Sequence, residues 1–316
     1  MERSELFIKE KILGVKTKAP RSFIIGTDWW SDCDDVVAMH ILSWAHKEGL
    51  INILGVGINA CMEYSAASLC AYLESRGLFG IPIGIDADAT DFTGIAVYQK
   101  RMAPCSSGIK SNFQAEEPVK MYRRLLASSK DGAVEIIEIG FSQVLASLLE
   151  SGADEYSHLS GMELVAAKVK KLWIMAGKWD EQGGMEHNFN NNARASVAAE
   201  KLCRMFPCDI TFLGFEVGAG VISGGCLKDS DTFTAKAMLD HGSENGRSSW
   251  DPMLAVLALC GDEQAAGYDV VRGRAMVSAK DGSNYFNCDA NGTHLYVKKK
   301  YDDGFYSSVI DNILLR

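Results

Sequence analysis

Four aspartates fall within eight residues of the segment Gly26–Met39 (GTDWWSDCDDVVAM): Asp28, Asp32, Asp34 and Asp35. They directly follow a short apolar run, Ser22–Gly26. Like charges packed this closely raise one another's pKa and destabilise a fold unless a cation neutralises them. Carboxylate oxygens at the end of a strand suit a hard divalent ion, Ca2+ or Mg2+, and not zinc. Of the two, Ca2+ accepts more ligands, bidentate carboxylates and bound water. The competing reading is a solvated acidic loop that caps the next helix, because Asp is favourable near a helix N-terminus.

The elements that must position this turn are legible as an alternation. Ser22–Gly26, Ile51–Ile58, Ile81–Ile85, Val134–Ile139, Leu172–Ala176 and Ile210–Leu213 read as buried strands. Val36–His46, Tyr64–Ser75, Gln143–Glu150, Ala193–Met205 and Asp251–Leu259 carry helical spacing, and Pro252 sits in a first turn, where its missing N–H costs nothing. Such alternation predicts an α/β fold, an open and mostly parallel sheet with helices on both faces. Ligands of such sheets bind at the carboxyl ends of the strands, where the acidic turn, the turn Gly140–Gln143 and the loop Gly177–Asn192 all lie. No repeat, low-complexity stretch or linker interrupts the pattern. The expectation is one domain over 1–316, with Met1–Arg21 as an N-terminal extension and residues from about 265 to 316 as a β-rich and helical part of the same domain.

Bulk properties exclude several classes. The net charge of −9 argues against nucleic acid, whose phosphates require clustered Lys and Arg. Nine cysteines, an odd number with no CxxC pair, read as reduced thiols and not as a disulfide framework or zinc site. Met1–Arg21 lacks the apolar core of a signal peptide, and no apolar run reaches the roughly 20 residues of a membrane helix, so cytoplasm and no membrane partner are expected. Gly214–Gly225 is glycine-rich but has no GxGxxG between strand and helix, so a dinucleotide site is not expected.

Four further segments carry a resemblance. The acidic turn resembles the N-terminal signature of the inosine-uridine nucleoside hydrolase family, in its longer variant TDxGTDxDDAxAL. Gly140–Ser151 (GFSQVLASLLES) is similar to the family's GFxTNLAxLLES, Met175–Phe189 (MAGKWDEQGGMEHNF) to MGGxxPxGGxEYNF, and Asn245–Leu257 (NGRSSWDPMLAVL) to NGRPSWDPxAVL. Gly214–Gly218 (GFEVG) is also typical. The motifs run in order from about residue 23 to 260. The resemblance implies a calcium-dependent hydrolase that cleaves the N-glycosidic bond of ribonucleosides and associates as a homodimer or homotetramer.

Carried over by position, Asp28 would be the calcium-bound general base, Asp35 the bidentate calcium ligand, and the Gln143 backbone carbonyl and Asp251 the remaining protein ligands. Asp34, Glu186 and Asn188 would hold ribose hydroxyls, and Asp32 would support the ligands from behind. Asp180 falls where some members have an Asn for the 5′-hydroxyl, and Asn59, after the second strand, could face the base.

The match departs from the family at the base side. Many purine-active members carry a His just before the last aspartate, assigned to protonating the leaving base; here that position is Trp250, which can stack on a base but is no strong acid. A core aromatic anchoring the following helix is its bland role. His187 replaces an aromatic residue and is either a proton donor or an ordinary loop histidine. Trp29 and Trp30 stand where the turn usually has small residues, and one buried and one facing the base is the expectation. Three functions stay open: a hydrolase of free ribonucleosides, a hydrolase of another N-riboside, and a catalytically impaired calcium-dependent ribose- or nucleoside-binding protein. The number of carboxylates favours an enzyme.

Overall fold

The computed structural model describes residues 3–14, 19–92 and 94–316. One nine-stranded sheet organises the chain. Its strands are β1 (Arg21–Thr27), β2 (Ile51–Ile58), β3 (Ile83–Ile85), β4 (Val134–Glu138), β5 (Val169–Met175), β6 (Asp209–Leu213), β9 (Tyr268–Val277), β10 (Asn284–Cys288) and β11 (His294–Lys299). The short β7 (Ile222–Ser223) and β8 (Arg247–Ser248) pair separately. The order is β10-β9-β11-β6-β5-β4-β1-β2-β3, parallel from β11 to β3, with β9 antiparallel to both of its neighbours. The apolar runs of β1, β4, β5 and β6 follow from this, because inner parallel strands are buried on both faces.

The strand order reverses between β1 and β4. The chain builds outward from β1 to β3, crosses back, and resumes at β4 on the other side. The carboxyl ends of β1 and β4 therefore flank the crevice where doubly wound sheets bind ligands. The β-rich tail extends this same sheet, because β11 lies parallel against β6. Of the expected N-terminal extension, 1–2 and 15–18 lie outside the described residues. Arg3–Phe7 and Ile8–Ile12 are helical; the first packs on the helix Asp303–Leu314, with Phe7 edge-on to Phe305 at 5.5 Å, and the second on the helix Trp250–Cys260.

The floor of the crevice depends on one glycine. Gly26 pairs with Glu138 across β1 and β4, and a Cβ at Gly26 would lie 2.0 Å from Glu138 Oε2. Glu138 is fully buried and its Oε1 accepts from Asn59 Nδ2 at 2.8 Å and Gly140 N at 3.0 Å. Burial pushes its carboxyl up to about 8. Gly26→Ala is expected to cost about 3 kcal/mol, because the Glu138 carboxyl that the new Cβ would meet is buried and held by Asn59 and Gly140. Thermal unfolding checks this; a shift of less than about one degree would show that the Glu138 side chain simply moves aside.

Candidate functional site

Two helices aim their N-termini at the crevice. Asp34–Lys47 follows the acidic turn and Trp250–Cys260 packs against it. Asp34, Asp35 and Asp251 occupy their first turns, where the helix dipoles favour negative charge. All three are buried, and one carboxylate oxygen of each lies within 4.8 Å of the others. Burial first, then repulsion among the aspartates of the site, Asp28 and Asp32 included, holds all three pKa values well above the usual carboxylate range. The trio must carry protons or share a cation, and an all-carboxylate set of hard oxygens fits a divalent ion such as Ca2+.

The turn that delivers Asp28 is strained and held. Trp29 adopts φ 47°, a left-handed conformation that costs of order 1–3 kcal/mol for a non-glycine residue. Its N–H donates to Thr27 Oγ1 at 3.0 Å, its carbonyl accepts from Gln99 Nε2, and its indole N–H donates to Ser68 Oγ at 2.9 Å. Thr27 Oγ1 also donates to Asp35 Oδ1. The Trp30 carbonyl accepts from Tyr98 at 2.7 Å, so the helix Val97–Met102 clamps the turn from the far side. Asp28 Oδ1 accepts from Trp30 N at 3.0 Å. Burial, together with the charge of Asp34, pushes Asp28 up to about 8.

A cavity of about 300 Å³ opens above these groups. Asp28, Asp34, Asp35 and Asp251 line it together with Glu186 and Asn188, which cap and open the short helix His187–Asn190 after β5. Glu186 Oε1 accepts from Asn188 N at 2.8 Å and Oε2 from Gly177 N at 2.9 Å. Burial pushes its carboxyl up to about 7 against those two donors. Asn188 Nδ2 donates to the Met175 carbonyl at 2.9 Å, which fixes its rotamer. Asp32 is on the cavity wall and not behind the other carboxylates, because Arg247 takes it in a two-pronged ion pair, the closest contact being 2.6 Å. Burial alone would raise its pKa, but Arg247 holds it below the usual range.

Rings line the rest of the cavity. Trp29 is fully buried against Tyr72 and Tyr98, whereas Trp30 lines the cavity and lies on His187, 5.7 Å between centroids and 18° between planes. Trp250 lies on Phe215 at 5.4 Å and 25°, and its Nε1 donates to the Phe215 carbonyl at 2.8 Å. His187 Nε2 accepts from Asn191 Nδ2 at 3.0 Å, and partial desolvation of its ring, which lies against Trp30 and Phe141, lowers its pKa.

Three expected positions are elsewhere. Asp180 does not line the cavity, because Lys178 draws its carboxylate into an exposed ion pair at 2.7 Å. Asn59 does not face the base: it is fully buried, and its amide joins Glu138 to Phe141 N, 2.8 Å on each side. Gln143 is also not among the cavity residues; Ile139 represents that strand end, and Gln143 Nε2 donates to the Asn59 carbonyl. Conversely, Arg247 and Phe215 line the cavity without having been singled out. Both lie in quoted motifs, NGRSSWDP and GFEVG, which is the signal that could have found them.

No family sequence model and no curated protein sequence matches the chain. Solved structures do. A plant nucleoside hydrolase aligns with 16% identity over 93% of this chain and 99% of its own, with a TM-score of 0.70. The inosine-uridine preferring nucleoside hydrolase of Bacillus anthracis aligns with 12% identity over the same shares, at 0.68. A type III effector protein solved in complex with adenosine diphosphate ribose aligns with 12% identity over 99% of this chain and 98% of its own, at 0.71. With its sheet order, its crevice between β1 and β4 and these neighbours, the chain has the nucleoside hydrolase fold.

Proposed function

We propose that this chain is a calcium-dependent N-ribosyl hydrolase that releases free base and ribose from ribonucleosides or related N-ribosides. The observation that carries the reading is the buried trio Asp34, Asp35 and Asp251 at the floor of a cavity that also holds Asp28, Glu186 and Asn188. Asp28, Asp35 and Asp251 would hold the ion; bound there, calcium would acidify and orient a water molecule. Asp28, whose carboxylate would lie beside that water, takes its proton. Asp34, Glu186 and Asn188 hold the ribose hydroxyls, and the surrounding carboxylates stabilise the positive charge that develops on the sugar. The water-derived proton then leaves to solvent, and the departing base takes one up from solvent.

Ribose release from a ribonucleoside panel, with calcium and after chelation, tests the reading. Calcium-dependent release from at least one riboside is expected. A second reading, riboside binding without turnover, draws support from the effector neighbour's complex with adenosine diphosphate ribose. Ligand-dependent thermal stabilisation without release would favour it.

We also propose a cytoplasmic homodimer or homotetramer acting in nucleoside salvage. The nine cysteines are all free thiols, which suits a reducing compartment, and among the described residues no helix is long and apolar enough to cross a membrane. Light scattering on the purified protein tests the assembly; a monomer mass would overturn it.

A further inference from the structure

The cavity is divided by chemistry. Asp28, Asp34, Asp35 and Asp251 are buried at its floor, whereas His187 is exposed on top of Trp30 and Phe215 is 40% exposed on top of Trp250. A riboside that seats its sugar on the carboxylates therefore places its base among the rings. Breaking the C1′–N bond leaves both electrons on the base nitrogen. A neutral purine or pyrimidine then departs as an anion unless a proton reaches it, and a positioned acid is typically worth about 10²–10⁴-fold.

Among the residues that line the cavity, the mouth offers no such acid. The Trp250 indole proton is committed to the Phe215 carbonyl, and the Trp30 indole N–H, though without a partner, is a hydrogen-bond donor only. The His187 Nε2 accepts the Asn191 amide, an arrangement that belongs to the neutral ring. Asp32 is tied as a carboxylate to Arg247, and a guanidinium does not give up its proton. Glu186, pushed up to about 7 by burial, has both oxygens engaged by backbone N–H groups and is assigned to the ribose hydroxyls, not to the base.

A base that is already a cation needs no proton to leave. Resting on the N-riboside hydrolase reading, we propose that the preferred substrates are cationic N-ribosides, in which C1′ is bonded to a quaternary ring nitrogen of the pyridinium kind. The water oxygen bonds to C1′, the electron pair of the C1′–N bond returns to the ring, and the ring leaves neutral. The water proton passes to Asp28 and then to solvent, and no other reactant is required. Binding is favoured by the same features. Aromatic faces attract a cation. The cavity's carboxylates also outnumber its described basic side chain, Arg247, which is itself paired with Asp32.

The test compares kcat/KM for nicotinamide riboside, inosine and uridine with the full-length, calcium-loaded protein at neutral pH. The pyridinium riboside is expected to lead by about a hundredfold. A lead of less than about tenfold over either neutral riboside overturns the proposal and leaves N-riboside hydrolysis standing. Release from none of the three overturns the hydrolase reading itself. A binding readout accompanies it: quenching of tryptophan fluorescence should show N-methylnicotinamide cation binding more tightly than nicotinamide, with Trp250→Leu weakening the cation by roughly tenfold. Equal affinity for the charged and neutral rings would also overturn the proposal.

Discussion

Asp28→Asn is expected to lower ribose release about a thousandfold, the middle of the range for a positioned acid–base group, and to leave the metal-free protein as stable as before or more so. The two effects separate because of what the side chain touches. Asp28 Oδ1 accepts the Trp30 N–H at 3.0 Å, and an asparagine carbonyl oxygen can take the same bond, so the strained Trp29 turn keeps its support. The substitution removes a proton acceptor for water and one oxygen aimed at the cation. It also removes a buried carboxyl whose pKa is pushed up to about 8, chiefly by burial. Near neutral pH that carboxyl opposes folding whenever it ionises, so a neutral amide relieves the cost. Steady-state ribose release and a thermal melt of metal-free protein check both halves. Turnover within about tenfold of the parent would remove Asp28 as the base, whatever the melt shows.

The alternation of strands and helices was legible because inner parallel strands are apolar on both faces and end where the site begins. β2 and the helices Gln143–Glu150 and Ala193–Met205 have the bounds expected from pattern alone. The strand-end rule already brought the acidic turn and the loop Gly177–Asn192 to one crevice, but the particular set Asp28, Asp34, Asp35, Glu186, Asn188 and Asp251 was legible only through the family resemblance. What was not legible depends on distant pairing. Nothing local in His294–Lys299 says that this strand lies parallel against β6. Asn59 stands at a strand end, where the crevice rule would place a ligand contact, yet it turns inward because Glu138, 79 positions away, has a buried carboxylate that needs a donor. Asp180 is lost to the cavity for the opposite reason, a local one: Lys178 is two residues away. Arg247 lay in a quoted motif, but its partner Asp32 is 215 positions away, and only the fold shows that this guanidinium neutralises one carboxylate of the turn and leaves the rest.

The remaining carboxylates give the second large effect, a stability that depends on pH and calcium together. Asp34, Asp35 and Asp251 have pKa values raised well above the usual range, and Asp28 is raised from 3.8 to about 8. A carboxyl raised in the folded state contributes stability that is complete below its unfolded pKa and is lost as the pH rises through the folded value. The melting temperature of metal-free protein should therefore fall between about pH 4 and pH 8, the window set by Asp28. A bound dication reverses the argument, because ionised oxygens are then the favoured form. Calcium at about a hundred times its Kd would add about 2.7 kcal/mol, a rise of several degrees, and its effect should grow toward higher pH as protons stop competing. Asp251→Asn and Asp35→Asn should each flatten the pH-dependent fall, because each removes one of the buried charges, and each should abolish the calcium shift, because each removes an oxygen of the trio. Thermal melts across that range, with calcium and with chelator, read all of these at once. A metal-free melting temperature that climbs with pH would mean that the cluster is neutralised from within the chain. A calcium shift that survives both substitutions would place the ion away from Asp35 and Asp251, and the catalytic roles assigned around it would have to be withdrawn.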